Sequence, residues 1–236
     1  TWSFHYLLIS DGEKPILATF FTFGLWKDDM LSPASVSLKL EEKRKADPYY
    51  LTTQVLSMGS IFTEGEHLYL DREHPQAAVA MQMLFEYLQE LEQELWPEAI
   101  VLRDFEEDTY LNKIFHDHGF VKVRMPDSCV FRDLSWENED TYVSRLSARS
   151  RRHFYKEVKP FEEKFEVLIQ EVVSEGEMEY LYQLYRNVKE NNPGLNTFAY
   201  PGRLFQSMNE NSHWEFITLH LKTTHDQREH KPPVGV

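Results

Sequence analysis

The chain has 236 residues, a formal net charge of −14, and 42% hydrophobic and 14% aromatic residues. This composition is ample for a packed core, and the length suits one large or two modest domains, so we expect a globular protein. A strongly acidic molecule repels polyanions, which argues against broad binding to nucleic acid or to anionic lipid surfaces.

The number of cysteines and the hydropathy of the chain indicate the cellular compartment in which the protein is expected. The single cysteine, Cys129, has no partner for an intramolecular disulfide, which favours a reducing compartment and makes the cytoplasm the default expectation. Cys129 also lacks a recognisable catalytic partner, so a nucleophilic triad is not indicated. No apolar run approaches the roughly 20 residues of a membrane helix, and we expect no membrane association. The chain stops as a strand-like pattern resumes at 233–236, which suggests a fragment of a longer protein.

The chain opens with a strand-rich region. The stretches "HYLLIS" and "ILATFFTFGLW" flank Asp11 and Gly12 and predict a β-hairpin. The charged run at 39–45 predicts a short exposed helix or a mobile loop. The stretches "QVLSMGSIF" and "HLYLD" predict a further strand pair, interrupted at 64–66.

Helices and strands alternate from Pro75 onward. Apolar residues recur at steps of three and four between 81 and 95 and predict an amphipathic helix. "AIVLRDF" at 99–105 predicts a buried strand, a helix follows from Asp108 to Gly119, and alternation in "FVKVRM" predicts a strand at 120–125. This order predicts an α/β fold, or α+β, with one mixed sheet and flanking helices.

A similar order of elements restarts after residue 138. Residues 140–163 are predicted to be helical, with Pro160 ending or kinking the helix. A strand at "FEVLIQEV", a helix at 176–190, a short helix at 203–209 and a strand at "WEFITLHL" follow. We therefore predict two units, 1–138 and 139–236, of which the second is incomplete.

Several of these stretches resemble a known superfamily. "LNKIFHDHGFVKV" at 111–123 resembles the closing helix and strand of the GCN5-related N-acetyltransferase fold, and the preceding helix and "AIVLRDF" follow that fold's order. "LSARSRRHFYKEVKPFEEKFEVLIQEV" and the helix at "LYQLYRNVKENNPG" are similar to the start of the second half of tandem members, the FemAB-like peptidoglycan aminoacyl-transferases and biotin-synthesis-like acyltransferases.

The resemblance implies an activity. It implies an N-acyltransferase that moves an acyl or aminoacyl group from a small thioester or ester donor to an amine acceptor. Acyl-coenzyme A is an implied donor. The chain would then hold one nearly complete acetyltransferase-like unit and the beginning of a second.

Two positions depart from the family pattern. The fold binds phosphate at a glycine-rich turn, but "YLDREHPQAAVAM" has no glycine, and Asp71 and Glu73 would repel phosphate. Phe115 stands four residues before Gly119, where the family places a proton-donating tyrosine, and a phenyl ring cannot donate a proton. These departures favour the alternative function: a catalytically silent module that binds a partner or supports an attached enzyme.

Glu64 and His67, in "TEGEHLYLD", are the candidate catalytic residues. On a central strand, period-two geometry would place Glu64 and Glu66 on one face and His67 on the other. Apolar neighbours would raise the pKa of Glu64, which could then accept a proton from an amine. Backbone N–H groups at a bulge of this strand would stabilise the oxyanion. The alternative interpretation is a solvated acidic loop.

Arginines form the candidate substrate-binding residues. Residues 145–159 carry a local charge of +5, and Arg149, Arg151 and Arg152 are expected on a linker helix near a cleft between the units. Guanidinium groups bind phosphate or carboxylate through two hydrogen bonds, so these arginines would receive an anionic donor or acceptor. The alternative is a solvated helix face. Recognition of aminoacyl-tRNA would require a broader basic surface.

Two further regions contain polar residues that could form a site. Arg103 and Asp104 end the predicted strand at 99–105, where open α/β sheets bind ligands, although helix capping by Asp108 accounts equally for the acidic cluster. His116 and His118 are two residues apart on a predicted helix and do not face each other, so we expect no metal site.

Overall fold

The computed structural model describes residues 2–125, 132–192 and 194–222, and it is a mixed α/β structure. The strands are β1 (Ser3–Asp11), β2 (Lys14–Lys27), β3 (Thr52–Met58), β4 (Leu68–Leu70), β5 (Ala99–Val101), β6 (Phe165–Gln170) and β7 (Phe216–Leu221). The helices are α1 (Ala34–Arg44), α2 (Ala77–Leu95), α3 (Thr109–Asp117), α4 (Glu139–Arg145), α5 (Ala148–His153), α6 (Lys159–Glu162), α7 (Glu175–Asn191) and α8 (Gly202–Asn209).

The described residues divide into two compact units. The first comprises 2–125 and 194–198, and the second comprises 132–192 and 199–222. Cys129 and the strand-like residues 233–236 lie outside the described residues. None of the helices in the described ranges combines the length and the apolar character that a membrane span requires.

The sheet of the first unit is built around β2. The predicted hairpin of β1 and β2 is confirmed, and Gly12 in its turn has a φ of 59°. On its other side β2 pairs antiparallel with β3 through Phe21–Lys27 and with β4 through Leu17–Thr19. The prediction that β3 and β4 pair with each other is therefore wrong. They follow one another along the same edge of β2, separated by the loop 59–67.

Helix α2 forms the core with one face of this sheet. Its predicted apolar stripe is confirmed, because Met81, Leu84, Leu88 and Leu91 are all buried. They belong to one cluster with sheet residues that project from the same face: Leu17, Phe21, Leu56, Met58 and Leu68.

The region after α2 matches the prediction only in part. β5 pairs parallel with β3 but is three residues long. Helix α3 begins at the N-cap Asp108, whose side chain accepts from two backbone N–H groups, and the following Gly119 has a φ of 86°. The strand predicted at 120–125 is wrong: these residues form no regular element, and Val121 and Val123 are exposed.

The second unit contains a two-stranded antiparallel sheet of β6 and β7. Its inner face packs on α7 and α8, with a buried cluster of Val173, Met178, Leu181 and Phe216. The predicted helix at 140–163 is broken into α4, α5 and α6. A π-helical segment at 154–158 joins α5 to α6, because Pro160 has no N–H to continue the α-helical hydrogen bonds, and Lys159 instead donates to the Phe154 carbonyl.

A network of charged side chains, of which Lys27, Asp29 and Arg44 are buried, holds residues 194–198 in the first unit. We call it the Asn196 network; it consists of Lys27, Asp29, Glu41, Arg44 and Asn196. The Arg44 and Asp29 side chains are 4% and 3% exposed, and their N–O distance is 2.6 Å. The Asn196 amide donates to both Asp29 and Glu41 at 2.8 Å and accepts from the Lys27 ammonium at 3.2 Å. The short helix predicted at 39–45 is confirmed as the second half of α1, and most of its residues are exposed or half-buried, but Arg44 is buried.

Candidate functional site

The candidate site lies at the carboxyl ends of β3 and β5. The two strands run parallel, and their last paired residues are Ser57 and Val101. Beyond this point the first chain segment enters the loop 59–67, and the second continues to Arg103 and Asp104. Carboxyl ends of neighbouring parallel strands are where open α/β sheets bind ligands.

His67 is held against the backbone at the start of this loop. A Cβ on Gly59 would lie 2.1 Å from His67 Cδ2, and the φ of Gly59 is 76°, so only glycine allows the imidazole this position. The ring also packs edge-on against Phe20, with centroids 5.6 Å apart. The His67 side chain is 7% exposed.

Polar groups surround the imidazole. His67 Nε2 lies 3.3 Å from Thr63 Oγ1 and 3.8 Å from Asp104 Oδ2. The Arg103 Nε–H donates to the same carboxylate oxygen at 2.8 Å, and Arg103 Nη1 donates to the Ser60 carbonyl at 3.1 Å. Arg103 and Asp104 thus join the end of β5 to the loop that follows β3.

Asp104 adopts an unusual backbone conformation. Its φ of 63° lies in the left-handed region, which a few per cent of non-glycine residues occupy. Such strained residues concentrate at functional sites, where the surrounding contacts hold them in place. Here the conformation accompanies the contact between the Asp104 carboxylate and His67.

Burial lowers the pKa of His67 below its ordinary value of 6.5. The negative charge of Asp104 raises this pKa, and the positive charge of Arg103 lowers it again; a hydrogen bond to the Thr63 backbone raises it. The imidazole is therefore neutral at pH 7, and its contacts with Gly59, Phe20 and Thr63 hold the ring in place. A neutral, oriented imidazole is able to accept a proton.

An aromatic surface adjoins His67 on the sheet face opposite α2. Phe20 contacts the imidazole and also stacks on Tyr6, with ring centroids 5.9 Å apart. Tyr6 and Tyr69 are exposed on this face, on the two strands that flank β2. The site therefore joins a proton acceptor to an apolar surface.

The other candidate catalytic residue, Glu64, lies elsewhere. The prediction that Glu64 and Glu66 lie on the central strand is wrong, because β4 begins only at Leu68 and both carboxylates are exposed in the loop 59–67. Glu64 therefore lacks the apolar surroundings that the prediction required. This placement matches the alternative of a solvated acidic loop.

Four backbone N–H groups of this loop donate hydrogen bonds within the first unit. Gly59 donates to the Phe20 carbonyl, Ser60 to Thr63 Oγ1, Phe62 to Ser60 Oγ, and Thr63 to the Ser60 carbonyl. These four groups are not available to stabilise an oxyanion. Arg103 supplies the positive charge of the site instead.

The three arginines of the basic stretch lie on α5. Arg149 and Arg152 are exposed, whereas Arg151 donates to the Ser144 and Leu146 carbonyls and thereby caps the end of α4. Elsewhere in the stretch Arg145 pairs with Asp133. Arg151 thus has a structural role, and substrate binding by Arg149 and Arg152 stays a prediction.

The turn between β4 and α2 does not suit the phosphates of coenzyme A. Its side chains are engaged within the unit: Asp71 bonds Lys14 at 2.8 Å, and Arg72 pairs with the N-cap residue Asp108. The turn also presents two acidic side chains to any phosphate. Phe115, at the position of the family's tyrosine, packs on Phe105 with ring centroids 5.0 Å apart and belongs to the core.

Within the described residues, no group of three or more histidine, cysteine, aspartate or glutamate side chains has a geometry that could hold a metal ion. His118 stacks on Phe85 with ring centroids 3.5 Å apart, and His116 is exposed on α3.

Sequence reasoning found part of this site. His67, Arg103 and Asp104 were each predicted as site residues, but in two separate groups. Gly59, Ser60 and Thr63 were missed, although "SMGS" ends a predicted strand with a glycine, which is a signal for close backbone approach. Comparison of the chain with protein-family models, curated proteins and solved structures finds no match.

Proposed function

We propose that the chain is an acyltransferase in which His67 is the general base that takes a proton from an amine acceptor. The observation that carries this proposal is the buried imidazole of His67 beside the Asp104 carboxylate, at the carboxyl ends of two parallel strands. A neutral imidazole has one nitrogen with a free lone pair, which is what a general base needs. The acetyltransferase-like sequence features support the same reaction class.

The proposed reaction forms a C–N bond and breaks a C–S or C–O bond. The amine nitrogen attacks the carbonyl carbon of the thioester or ester while the imidazole takes its proton. The Arg103 guanidinium stabilises the negative charge that develops on the carbonyl oxygen. When the intermediate collapses, the imidazolium returns the proton to the departing thiolate or alkoxide, so His67 is neutral again.

The surroundings of His67 support a donor that is recognised by its acyl group. Phe20, Tyr6 and Tyr69 offer apolar surface next to the imidazole, which suits an acyl chain or an aromatic acyl group. The turn before α2 does not suit a nucleotide. We therefore expect a thioester without a nucleotide to serve as well as acyl-coenzyme A.

The test is thioester aminolysis by the purified chain. Hexanoyl-N-acetylcysteamine and hexanoyl-coenzyme A are each mixed with a panel of primary amines, and the released thiol is measured. We expect His67→Gln to lower the rate by about 10²–10⁴-fold, the usual contribution of general base catalysis. The matched control is His116→Gln, which makes the same change at an exposed histidine and should leave the rate unchanged.

Glu64→Gln separates the two candidate bases. A loss of rate in this variant with full activity in His67→Gln would contradict the proposal and return the role to Glu64. Absence of thiol release with every thioester and amine would also contradict it.

The second candidate function is a binding module without catalysis. It is favoured by the ion-paired turn before α2 and by the packing of Phe115 in the core. Thermal unfolding in the presence of each thioester distinguishes the two functions, because a ligand that binds the folded state raises the melting temperature. A raised melting temperature without thiol release would support the binding module.

A further inference from the structure

The outer face of the β6–β7 sheet is entirely apolar. Antiparallel register places six side chains on this face in three cross-strand pairs: Phe165 with Leu221, Val167 with Leu219, and Ile169 with Ile217. Val167, Ile169 and Ile217 are 59%, 65% and 59% exposed, so the described part of the chain leaves the face open. The opposite face is packed, since Phe216, Thr218 and His220 are buried.

The apolar face continues into a groove. An open groove of ≈ 350 Å³ is lined by Phe165, Val167 and Leu219 from the sheet and by Val158 and Phe161 from the preceding helical segment. Contiguous exposed apolar surface of this kind marks an interaction site in a folded protein. We refer to the six sheet residues and this groove together as the outer face.

Carboxylates border the groove. Glu157 and Glu162 both line it, and Glu162 also bonds Lys159 at 2.6 Å. The Lys164 ammonium lies 4.7 Å from the centre of the Phe161 ring, so the aromatic wall already accommodates a cation. The whole chain carries a net charge of −14, which attracts basic partners over a distance.

The dimensions of the outer face match an α-helix. Each strand has six residues. At about 3.3 Å per residue the face is about 20 Å long, and two strands with their side chains are about 10 Å wide. A helix is about 10 Å in diameter and covers 20 Å with about 13 residues.

We infer that the outer face is a docking site for a basic amphipathic helix of another polypeptide, with apolar residues on one side and lysine or arginine beside Glu157. The charge of the chain disfavours the other occupants. Two copies of this chain, each with a net charge of −14, would repel one another, and an anionic lipid surface would be repelled as well. This inference does not depend on the proposed acyltransferase activity.

The test uses a labelled helical peptide and the whole chain. The probe has 14 residues, with leucines at helical spacing on one face and lysines on the other; one control peptide has the same composition in scrambled order, and another has glutamate for lysine. Fluorescence anisotropy should show binding of the probe and at least tenfold weaker binding of both controls. Glu157→Lys should weaken binding of the lysine probe and strengthen that of the glutamate peptide.

A doubly substituted chain separates docking from general charge attraction. Val167→Asp with Ile217→Asp adds two negative charges, so attraction by charge alone would strengthen binding, whereas docking on the outer face predicts a loss of more than about tenfold. The matched control, Val79→Asp with Val188→Asp, adds the same charges at exposed valines elsewhere and should retain binding. A thermal melt verifies that each variant folds.

Three results would overturn the inference. One is unchanged or tighter probe binding by the Val167→Asp and Ile217→Asp chain. Another is equal binding of the probe and its scrambled control. The third is a concentration-dependent dimer in sedimentation that this double substitution abolishes, because the occupant would then be a second copy.

Discussion

Asp104 and Arg103 carry charges of opposite sign near His67, and each changes the pKa of its imidazole. We expect the imidazole to titrate below 6.5 in the folded chain, because burial disfavours its charged form. Asp104→Asn should lower the pKa further, since Asp104 favours the protonated ring. Arg103→Gln should raise it, since Arg103 opposes protonation. NMR titration of the ring proton measures all three values without reference to activity.

The lowered pKa of His67 also determines how this residue makes the stability of the fold depend on pH. Because the folded-state pKa is depressed, the unfolded chain binds more protons between the two pKa values, and stability falls as pH drops below 6.5. Shifts of the same sign in Asp104→Asn and Arg103→Gln would show that the two charges do not act on the ring as described.

Gly59 is in close contact with the His67 ring and restricts its position. Gly59→Ala should destabilise the fold by about 1–3 kcal/mol, because a methyl group would overlap the imidazole and the backbone is left-handed. Gly12→Ala is the matched control, since Gly12 has a similar φ of 59° but no atom within 4 Å of an added Cβ. Urea unfolding of both variants is the measurement. Equal losses would mean that the contact with His67 contributes nothing.

At the scale of single elements, the helices were the most predictable part of the fold. α2, α3 and α7 have apolar residues at helical spacing and clear end signals, such as Asp108 and Gly119 around α3. Helical hydrogen bonds are local, so the sequence of one segment is sufficient to indicate a helix.

Strands were less predictable because a strand needs a partner. "FVKVRM" alternates as a strand should, yet residues 120–125 form none. The alternation indicates which side chains share a face. It does not show which neighbouring strand would form hydrogen bonds with the backbone of this segment. For the same reason, the sequence did not indicate that β3 and β4 both pair with the same edge of β2.

The candidate site depends on such a non-local pairing. Parallel pairing of β3 with β5 brings Asp104 to His67, across 37 positions of sequence. Composition and spacing indicated both residues as polar groups near strand ends. Their distance from one another, and the exposure of Glu64, became visible only with the sheet topology.

At the scale of the whole molecule, the Asn196 network predicts sensitivity to acid. Burial raises the pKa of Asp29 and of Glu41, but hydrogen bonds outweigh burial: those from Arg44 and Asn196 to Asp29, and those from Lys27 and Asn196 to Glu41, leave each pKa at about 2. The ordinary values are 3.8 and 4.5, so the stabilisation is complete above about pH 4.5 and is lost as pH falls towards 2. Urea unfolding between pH 2 and pH 7 should show this decline.

Asn196→Ala tests whether the network is responsible. The substitution leaves buried charges short of hydrogen bonds, and we expect a loss of about 1–3 kcal/mol at neutral pH. The acid dependence should shrink as well, because the pKa values of Asp29 and Glu41 rise towards their ordinary values. Asn191→Ala, at an exposed asparagine of α7, is the control and should change neither quantity. A full acid dependence in Asn196→Ala would assign it to other carboxylates.

The position of Asn196 has a consequence for biosynthesis. Asp29 and Arg44 are 15 positions apart in the sequence, but their amide partner Asn196 is added 167 positions after Asp29. A nascent chain that has emerged only as far as α3 therefore has its sheet and α2 without this last partner. We expect early translation products of this length to be protected from proteolysis less well than products that extend past residue 198.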